Sequence, residues 1–472
     1  MTKGFYNVMY IIYITMAFIR KIKKKSGTYL ALVESYRKNG KVKQKVKKYL
    51  GREIDGKPVR RVRTSNIGVE SVKRYGDVLC VDKISHNLGL NDLFEKNALL
   101  LVYSHLLEDN LSMKNMEVWI KQTELPRVLE LNSISTKKLY GALENLNEIE
   151  FEPLEEQIYK KFFEYDKDKT TIVVDVTDTY FEGKNGSRSK KRRGKDGKYK
   201  NLMQICLAVT LKHGFPVMHR VYDGNISNIR IFQDIVPELR SRGFDSIIVD
   251  RGMHSKRNIE IMRGLKMKSI LGAKKIQSIK QKFLNNLERE EIYCRDTRIV
   301  LKNTTVHAKS FPYLDGNLIV VYNPAVEAQK RENHYERGGD DEDTRYLGYS
   351  LIYHNTDLDI RDVVMQYFKK DIVERSFKQL KGVLSLRPVR MWLKSHVNGH
   401  VRVCYLSYAI LSMLKYRIRD LEISPQEALE KLRTSYIVHL KDHESDFSWS
   451  STVNLERIQD KILKKVGVVY KS

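Results

Sequence analysis

Cysteine is scarce in this chain and never paired. Cys80, Cys206, Cys294 and Cys404 lie far apart, with no CxxC among them. That pattern gives no zinc site and no disulfide framework, and it suits a reducing cytoplasm. The apolar stretch Tyr10–Ile19, which follows Lys3, is too short to span a bilayer, and no small-residue cleavage site follows it. Neither a membrane anchor nor a secretory signal is therefore expected. Met16 begins MAFIRKIKKKSGTYLALVESYR, and a start there removes most of the stretch, so residues 1–15 read as an upstream extension of the reading frame. Acidic residues are also in deficit. Against 85 Lys+Arg there are 58 Asp+Glu, giving +27 and a pI near 9.6, a balance that favours a polyanionic partner unless a Lys-rich proteome is the cause.

What is present is a globular chain. Its 472 residues allow two to four domains, and 42% hydrophobic with 30% charged residues exclude disorder. Thr28–Tyr36 and Lys41–Tyr49 read as strands around Asn39-Gly40, a hairpin turn in which both residues accept positive φ. The Lys residues of this hairpin suit either a solvated edge or phosphate contact. Residues 70–165 turn helical, with Ser135 as an N-cap and Trp119 as core; short helices of this kind suit either an ordinary α-bundle or a helix-turn-helix DNA-binding region.

From residue 169 the pattern changes to strands. TTIVVDVTDTYF, LMQICLAVTLK and FPVMHRVYD read as three strands, followed by the helix IRIFQDIVPELRSRG, the strand SIIVD, the helix SKRNIEIMRGL and the strand SILGA. Between the first two lies GKNGSRSKKRRGKDGKYK, a basic excursion that includes Arg192 and Arg193 and is either a solvated loop or a DNA-backbone contact. EEIYC, TRIVLK and NLIVVYN read as further strands, and LGYSLIYHNTD as a last strand before a helix from Ile360 to Lys381.

That helix carries Tyr367, Lys370, Glu374 and Lys381 at offsets 0, 3, 7 and 14, which place the four side chains within an arc of roughly 60°. Asp175 and Asp250 sit within or at the end of strand-like runs, so three acids can converge on one point. Each alone is better read as an ordinary turn residue or solvated ion pair; together they suit a metal-dependent nuclease core.

Asp175, Asp250 and Glu374, with the Tyr-x2-Lys-x3-Glu-x6-Lys helix, resemble the catalytic triad and signature helix of the DDE transposases encoded by prokaryotic insertion sequences. The blocks DVTDTYFEG, LAVTLKHGFPVMHRVYDGNISN, VDRGMHS, VVYNPAVEAQKREN and VERSFKQLKGVLSLRPV follow one another in that family's order, over roughly residues 27–420. The family usually has Arg where this chain has Lys370.

The resemblance implies an α/β fold: an RNase H-like core of a mixed sheet flanked by helices, with a β-rich insertion and an N-terminal β-hairpin plus helical region. The corresponding boundaries are a basic hairpin region at 16–69, a helical DNA-binding region at 70–165, core segments at 166–271 and 346–420, the insertion at 272–345 and a helical tail at 421–472. It also implies two Mg2+ or Mn2+ ions held by Asp175, Asp250 and Glu374, with Asp175 preferred to the neighbouring Asp178. DNA contacts are expected from Tyr367, Lys370, Lys378, Lys381, Arg192 and Arg193. His254, Arg387 and Trp392 are further candidates, with structural roles at least as expected for His254 and Trp392. The expected partner is double-stranded DNA, as element ends and target, bound by a homodimer in the cytoplasm at the nucleoid, with no membrane and no small-molecule substrate. The rival expectation is a catalytically inactive DNA-binding protein derived from such an element.

Overall fold

The computed structural model describes residues 17–38, 40–54, 57–59, 64–108, 111–167, 171–180, 190–193, 199–302, 304–336, 344–382, 384, 386, 391, 393–444 and 447–470. Residues 1–15, Arg387, Trp392 and the side chains of Arg192 and Arg193 lie outside the described set. The chain forms two units, Met1–Val72 with Val438–Ser451, and Lys73–Ile437 with Thr452–Ser472.

In the first unit, β1 (Ala17–Lys24), β2 (Gly27–Lys38), β3 (Lys41–Ile54) and β4 (Lys57–Val59) form an antiparallel sheet in that order. Lys38 pairs with Lys41 across a two-residue turn in which Gly40 takes φ +73°. The expected hairpin is therefore joined by a strand on each side. β1 begins at Ala17, within the apolar stretch Tyr10–Ile19 but after the 1–15 extension. Leu30, Ala31 and Val33 of β2 are buried, while β3 is exposed from Lys41 to Tyr49. β5 (Ile67–Arg74) follows.

The second unit opens with helices α1 (Gly76–Asn87), α2 (Leu90–Leu93), α3 (Lys96–Leu107), α4 (Met113–Trp119), α5 (Leu125–Val128), α6 (Thr136–Glu148) and α7 (Glu152–Phe163). Ser135 caps α6 by accepting from the Lys138 amide at 3.3 Å, and Trp119 is buried with its indole donating to Glu108 at 2.9 Å. Both agree with the sequence.

Next come β6 (Ile172–Tyr180), β7 (Lys190–Arg193), β8 (Tyr199–Thr210), β9 (Pro216–Asp223), α8 (Asn228–Ser241), β10 (Ser246–Val249), α9 (Lys256–Gly264) and β11 (Lys268–Ala273). β6, β8 and β9 are antiparallel neighbours; β10 runs parallel to β6, and β11 parallel to β10. The sheet order β9-β8-β6-β10-β11 with helices on both faces is that of an RNase H-like core. The basic excursion contributes β7, which pairs with the start of β8.

The segment after β11 holds α10 (Gln277–Ile279), α11 (Arg289–Ile292), β12 (Arg298–Val300), β13 (Thr305–Tyr313), β14 (Gly316–Tyr322) and α12 (Pro324–Tyr335), followed by β15 (Tyr349–His354). EEIYC, read as a strand, instead lies largely in α11, where Glu290 and Glu291 occupy the first turn and favour the positive end of the helix dipole. β12, β13 and β14 add to the core sheet through β15, which pairs with both β14 and β11. The result is one ten-stranded sheet.

The chain closes with α13 (Ile360–Phe368), α14 (Asp371–Lys381), α15 (Lys394–Arg417), α16 (Pro425–Leu432), β16 (Tyr436–Asp442), β17 (Ser448–Thr452) and α17 (Arg457–Val466). β16 lies between β17 and β5 in a small third sheet, so the tail is not purely helical. α15 is buried along most of its length and shares one core with α3, α6, α14 and one face of the sheet. Among the described residues no helix is long and apolar enough to cross a membrane.

Where α15 meets α6 the backbones nearly touch: a Cβ on Gly399 would lie 2.3 Å from the Leu143 carbonyl oxygen, whereas one on Gly141 of α6 would meet nothing within 4 Å. Gly399→Ala should thus cost about 1–3 kcal/mol by overpacking, and Gly141→Ala should gain about 0.5–1 kcal/mol from reduced backbone freedom. Thermal denaturation of the two variants should move in opposite directions; a G399A midpoint equal to that of the parent would contradict the close-approach account.

Candidate active site

Two acids are brought together by strand register. Val249 of β10 lies beside Val174 of the parallel β6, so Asp250, the next residue, comes level with Asp175 at the same sheet end. Both line a cleft of about 660 Å3 that also contains Asp178. Alternation along β6 separates the candidates: Val173 packs in the core shared with α14 and α15, while Ile172, Val174 and Val176 pack in the core shared with α8. Asp175 therefore has the parity of the face on which α14 lies, and Asp178 that of the opposite face.

The expected single helix from Ile360 to Lys381 is two helices joined at Lys369 and Lys370. At the joint the Lys370 amide bonds to Tyr367 and the Val373 amide to Lys370, both at 3.1 Å and three residues apart, so the chain tightens locally towards 3₁₀ geometry. The tightened turn still directs two side chains at Asp250. Its Oδ1 accepts from Lys370 Nζ at 3.0 Å and lies 3.4 Å from the Tyr367 hydroxyl. Lys370 Nζ is also 4.0 Å from Glu374 Oε1, so one ammonium stands between two of the three acids.

Glu374 is 58% exposed. Lys381 donates to the Thr177 hydroxyl, two residues along β6 from Asp175. Lys378 is exposed on α14 and does not line the cleft. His254 is buried at the start of α9 and does not line it either.

Burial pushes the Asp250 carboxyl up, but the charge and hydrogen bond of Lys370 outweigh it, so its pKa lies below the ordinary carboxylate value. Burial, and then the charge of Asp250, pushes the Tyr367 phenol well above its usual range. Tyr367 reaches Asp250 over a glycine, for a Cβ on Gly272 of β11 would lie 2.2 Å from its hydroxyl and 2.9 Å from the Arg251 amide. Nothing in the sequence pattern marks that glycine.

Sequence reasoning also missed a set of cations in the same cleft: Arg251, Lys274, Lys275 and Lys330. Burial, followed by the charges of Lys330, Arg251 and Lys280, pushes Lys275 down to about 8. A usable signal existed, since Lys274 and Lys275 follow β11 as Asp250 follows β10, and these parallel strands end at the same sheet edge.

A second cluster lies elsewhere. His105 of α3 and His400 and Cys404 of α15 each place a donor atom within 4.8 Å of the others, a group that could hold a metal ion. The donors come from helices far apart in sequence, so the absence of a CxxC pair does not bear on this group. Nitrogen and sulfur donors suit a borderline metal such as Zn2+ rather than Mg2+.

Residues 166–410, more than half of the chain, match the family model described as Transposase DDE domain. Residues 19–64 match that of the IS1634 family transposase, N-terminal domain. No curated protein matches. Among solved structures the chain is similar to the piggyBac transposase synaptic complex with hairpin DNA, at 11% identity and TM-score 0.42, over 76% of this chain and 79% of that one.

The Lys370–Asp250 pair has a pH signature. Because the folded carboxyl is depressed, its contribution to stability is present above the ordinary carboxylate pKa and is lost as pH falls through the lower folded value. In Lys370→Ala the Asp250 pKa should rise and that window should move up with it. Carbon NMR titration of the labelled aspartate carboxyls, with Asp250→Asn for assignment, measures the shift; an unmoved Asp250 would rule out Lys370 as the group that lowers it.

Proposed function

Because this chain belongs to the transposase DDE domain family, we propose that it is a DNA transposase that cuts at insertion-sequence ends and joins the freed 3′-hydroxyl to target DNA. Asp175, Asp250 and Glu374 are the proposed ligands of two Mg2+ or Mn2+ ions. The observation that carries this reading is the level placement of Asp175 and Asp250 at one strand end, with Glu374 linked to Asp250 through Lys370.

The donor set fits such ions: hard carboxylate oxygens, with Asp175 and Asp250 lining the cleft and Glu374, which is outside that lining, 58% exposed on α14. Held by these carboxylates, such ions would supply activation of the attacking hydroxyl and stabilisation of the leaving oxygen in a phosphoryl displacement. Asp175, rather than Asp178, is the proposed ligand because it has the parity of the α14 face, which Asp178 lacks.

The other residues position DNA. Lys370 relieves repulsion between Asp250 and Glu374, and its flexible ammonium is able to turn to a phosphate oxygen as a point charge. Tyr367, protonated at every physiological pH, donates a hydrogen bond. Lys381, at Thr177, places a cation beside the Asp175 strand, and Lys378 lies one turn away on the exposed face. Arg192 and Arg193 complete the proposed DNA contacts. We assign end recognition to the basic region at 16–69, with its match to an insertion-sequence N-terminal domain, and to the helices of 70–165. Two copies would hold two element ends at the nucleoid.

A labelled duplex carrying the element end, incubated with the full chain and Mg2+ or Mn2+ beside Glu374→Gln, tests the reading. Cleavage at the element boundary should require the metal. The variant should lose more than the ~10–100-fold that removing an outer-shell partner costs. Binding without cleavage by the parent would instead identify a DNA-binding relic, and cutting without joining a structure-specific nuclease.

A further inference from the structure

We propose that Arg251, Lys274, Lys275 and Lys330 form a binding site for backbone phosphates of the DNA strand that enters the cleft, an inference that rests on the transposase reading above. The four cations share one cleft of about 660 Å3 with the carboxylates of Asp175, Asp178 and Asp250. They arrive from three places in the chain: Arg251 just past Asp250 at the end of β10, Lys274 and Lys275 directly after β11, and Lys330 from α12. Their gathering is thus a property of the folded sheet edge and not of a basic run in the sequence.

The cations share the cleft with these acids without being held in ion pairs. Among the described residues none of the four forms an ion pair with a carboxylate, although lysines elsewhere on the surface pair freely, as Lys268 does with Asp357 at 2.9 Å. Crowding cations in a partly buried cleft is unfavourable, and the lowering of Lys275 to about 8 by burial, Lys330, Arg251 and Lys280 reflects that cost. A bound anion removes it. Among the described residues, the one contact that suggests a purely structural role, Lys275 Nζ donating to the Tyr346 carbonyl at 2.7 Å, uses one of three ammonium protons and brings no opposite charge.

Carboxylates and cations in one cleft also sort a nucleic-acid strand. Phosphates cannot lie against bare carboxylates, so the strand registers with its flanking phosphates on the cationic residues and only the reacting one near the acids. Such contacts fix register without reading sequence.

The test uses full-length Glu374→Gln as parent and measures duplex binding by fluorescence anisotropy across a salt series. Adding Lys275→Gln and Lys330→Gln should lower the slope of log K against log salt by about 0.9 for each phosphate no longer neutralised, and raise Kd about tenfold or more, equally for duplexes of different sequence. The matching Lys275→Arg/Lys330→Arg pair should keep the slope. An unchanged slope in the Gln pair overturns the proposal, and so does an equal loss of affinity in the Arg pair, which would mean that the lysines act through packing. If the parent binds no duplex at all, the transposase reading fails, and calorimetry with inorganic pyrophosphate decides the site by itself. Binding by the parent that the Gln pair loses supports an anion site, and no binding by the parent overturns it.

Discussion

Like charges brought to one point repel, and the geometry of this sheet edge is organised around that repulsion. Asp175 and Asp250 are held level by parallel strands whose register is fixed several residues earlier, in the buried Ile172–Val174 and Ile247–Val249 pairs. The strands have no freedom to part. Relief comes from Lys370, whose ammonium sits 3.0 Å from Asp250 and 4.0 Å from Glu374. For that ammonium to arrive there, the helix ahead must end at Phe368, the turn must tighten, and β11 must offer a glycine over which Tyr367 can pass. These features of the second unit follow from one electrostatic requirement.

Holding the charged face of α14 in place is the task of its other face. Ile372, Val373, Ser376, Phe377 and Leu380 are buried, and Tyr408 of α15 bonds both to Ser376 at 2.5 Å and to the Gly214 carbonyl at 2.7 Å. α15 in turn packs against α3 and α6, so the helices before the core and α14 share one buried scaffold. A further buried tie joins α7 to the sheet. Glu155, fully buried, accepts from His219 at 2.7 Å, from Arg220 at 3.0 Å and from Arg242 at 2.9 Å. Burial alone would raise its carboxyl; the hydrogen bond and charge of His219 and the two arginines bring it down to about 2. A carboxylate so surrounded is costly to disturb by loss of any single partner. Rigid support of this kind is what a site needs when function depends on sub-ångström placement.

Much of this was legible in the residues. Strands rich in Val and Ile, the Ser135 cap and the Asn39-Gly40 turn all follow from local chemistry, and local chemistry is what a sequence displays. The elements that were not legible depend on partners distant in the chain. β7 is a strand only because the start of β8 offers it an edge, and β1 because β2 does. EEIYC alternates too weakly to decide between strand and helix, and its acids favour a helix N-terminus. The insertion reads as a separate β-rich piece, yet β14 finds its partner in β15 and so extends the core sheet. The cations of the cleft escaped notice for the same reason: Arg251, Lys274 and Lys330 are each an ordinary surface residue until the strands that carry them are laid side by side.

An ammonium rather than a guanidinium at position 370 has a physical consequence. A guanidinium between two carboxylates would hold both through a planar fork, and divalent cations would have to compete against two charge-assisted bonds. The ammonium here makes one close bond, to Asp250, and stands beyond hydrogen-bond distance of Glu374. Its long flexible stem can swing away without breaking a bidentate pair. The ammonium therefore eases the repulsion between Asp250 and Glu374 through a contact that is readily given up. On the proposed reading, an ammonium here gives up rigid bidentate recognition of a phosphate, which leaves more of the strand's register to Arg251, Lys274, Lys275 and Lys330.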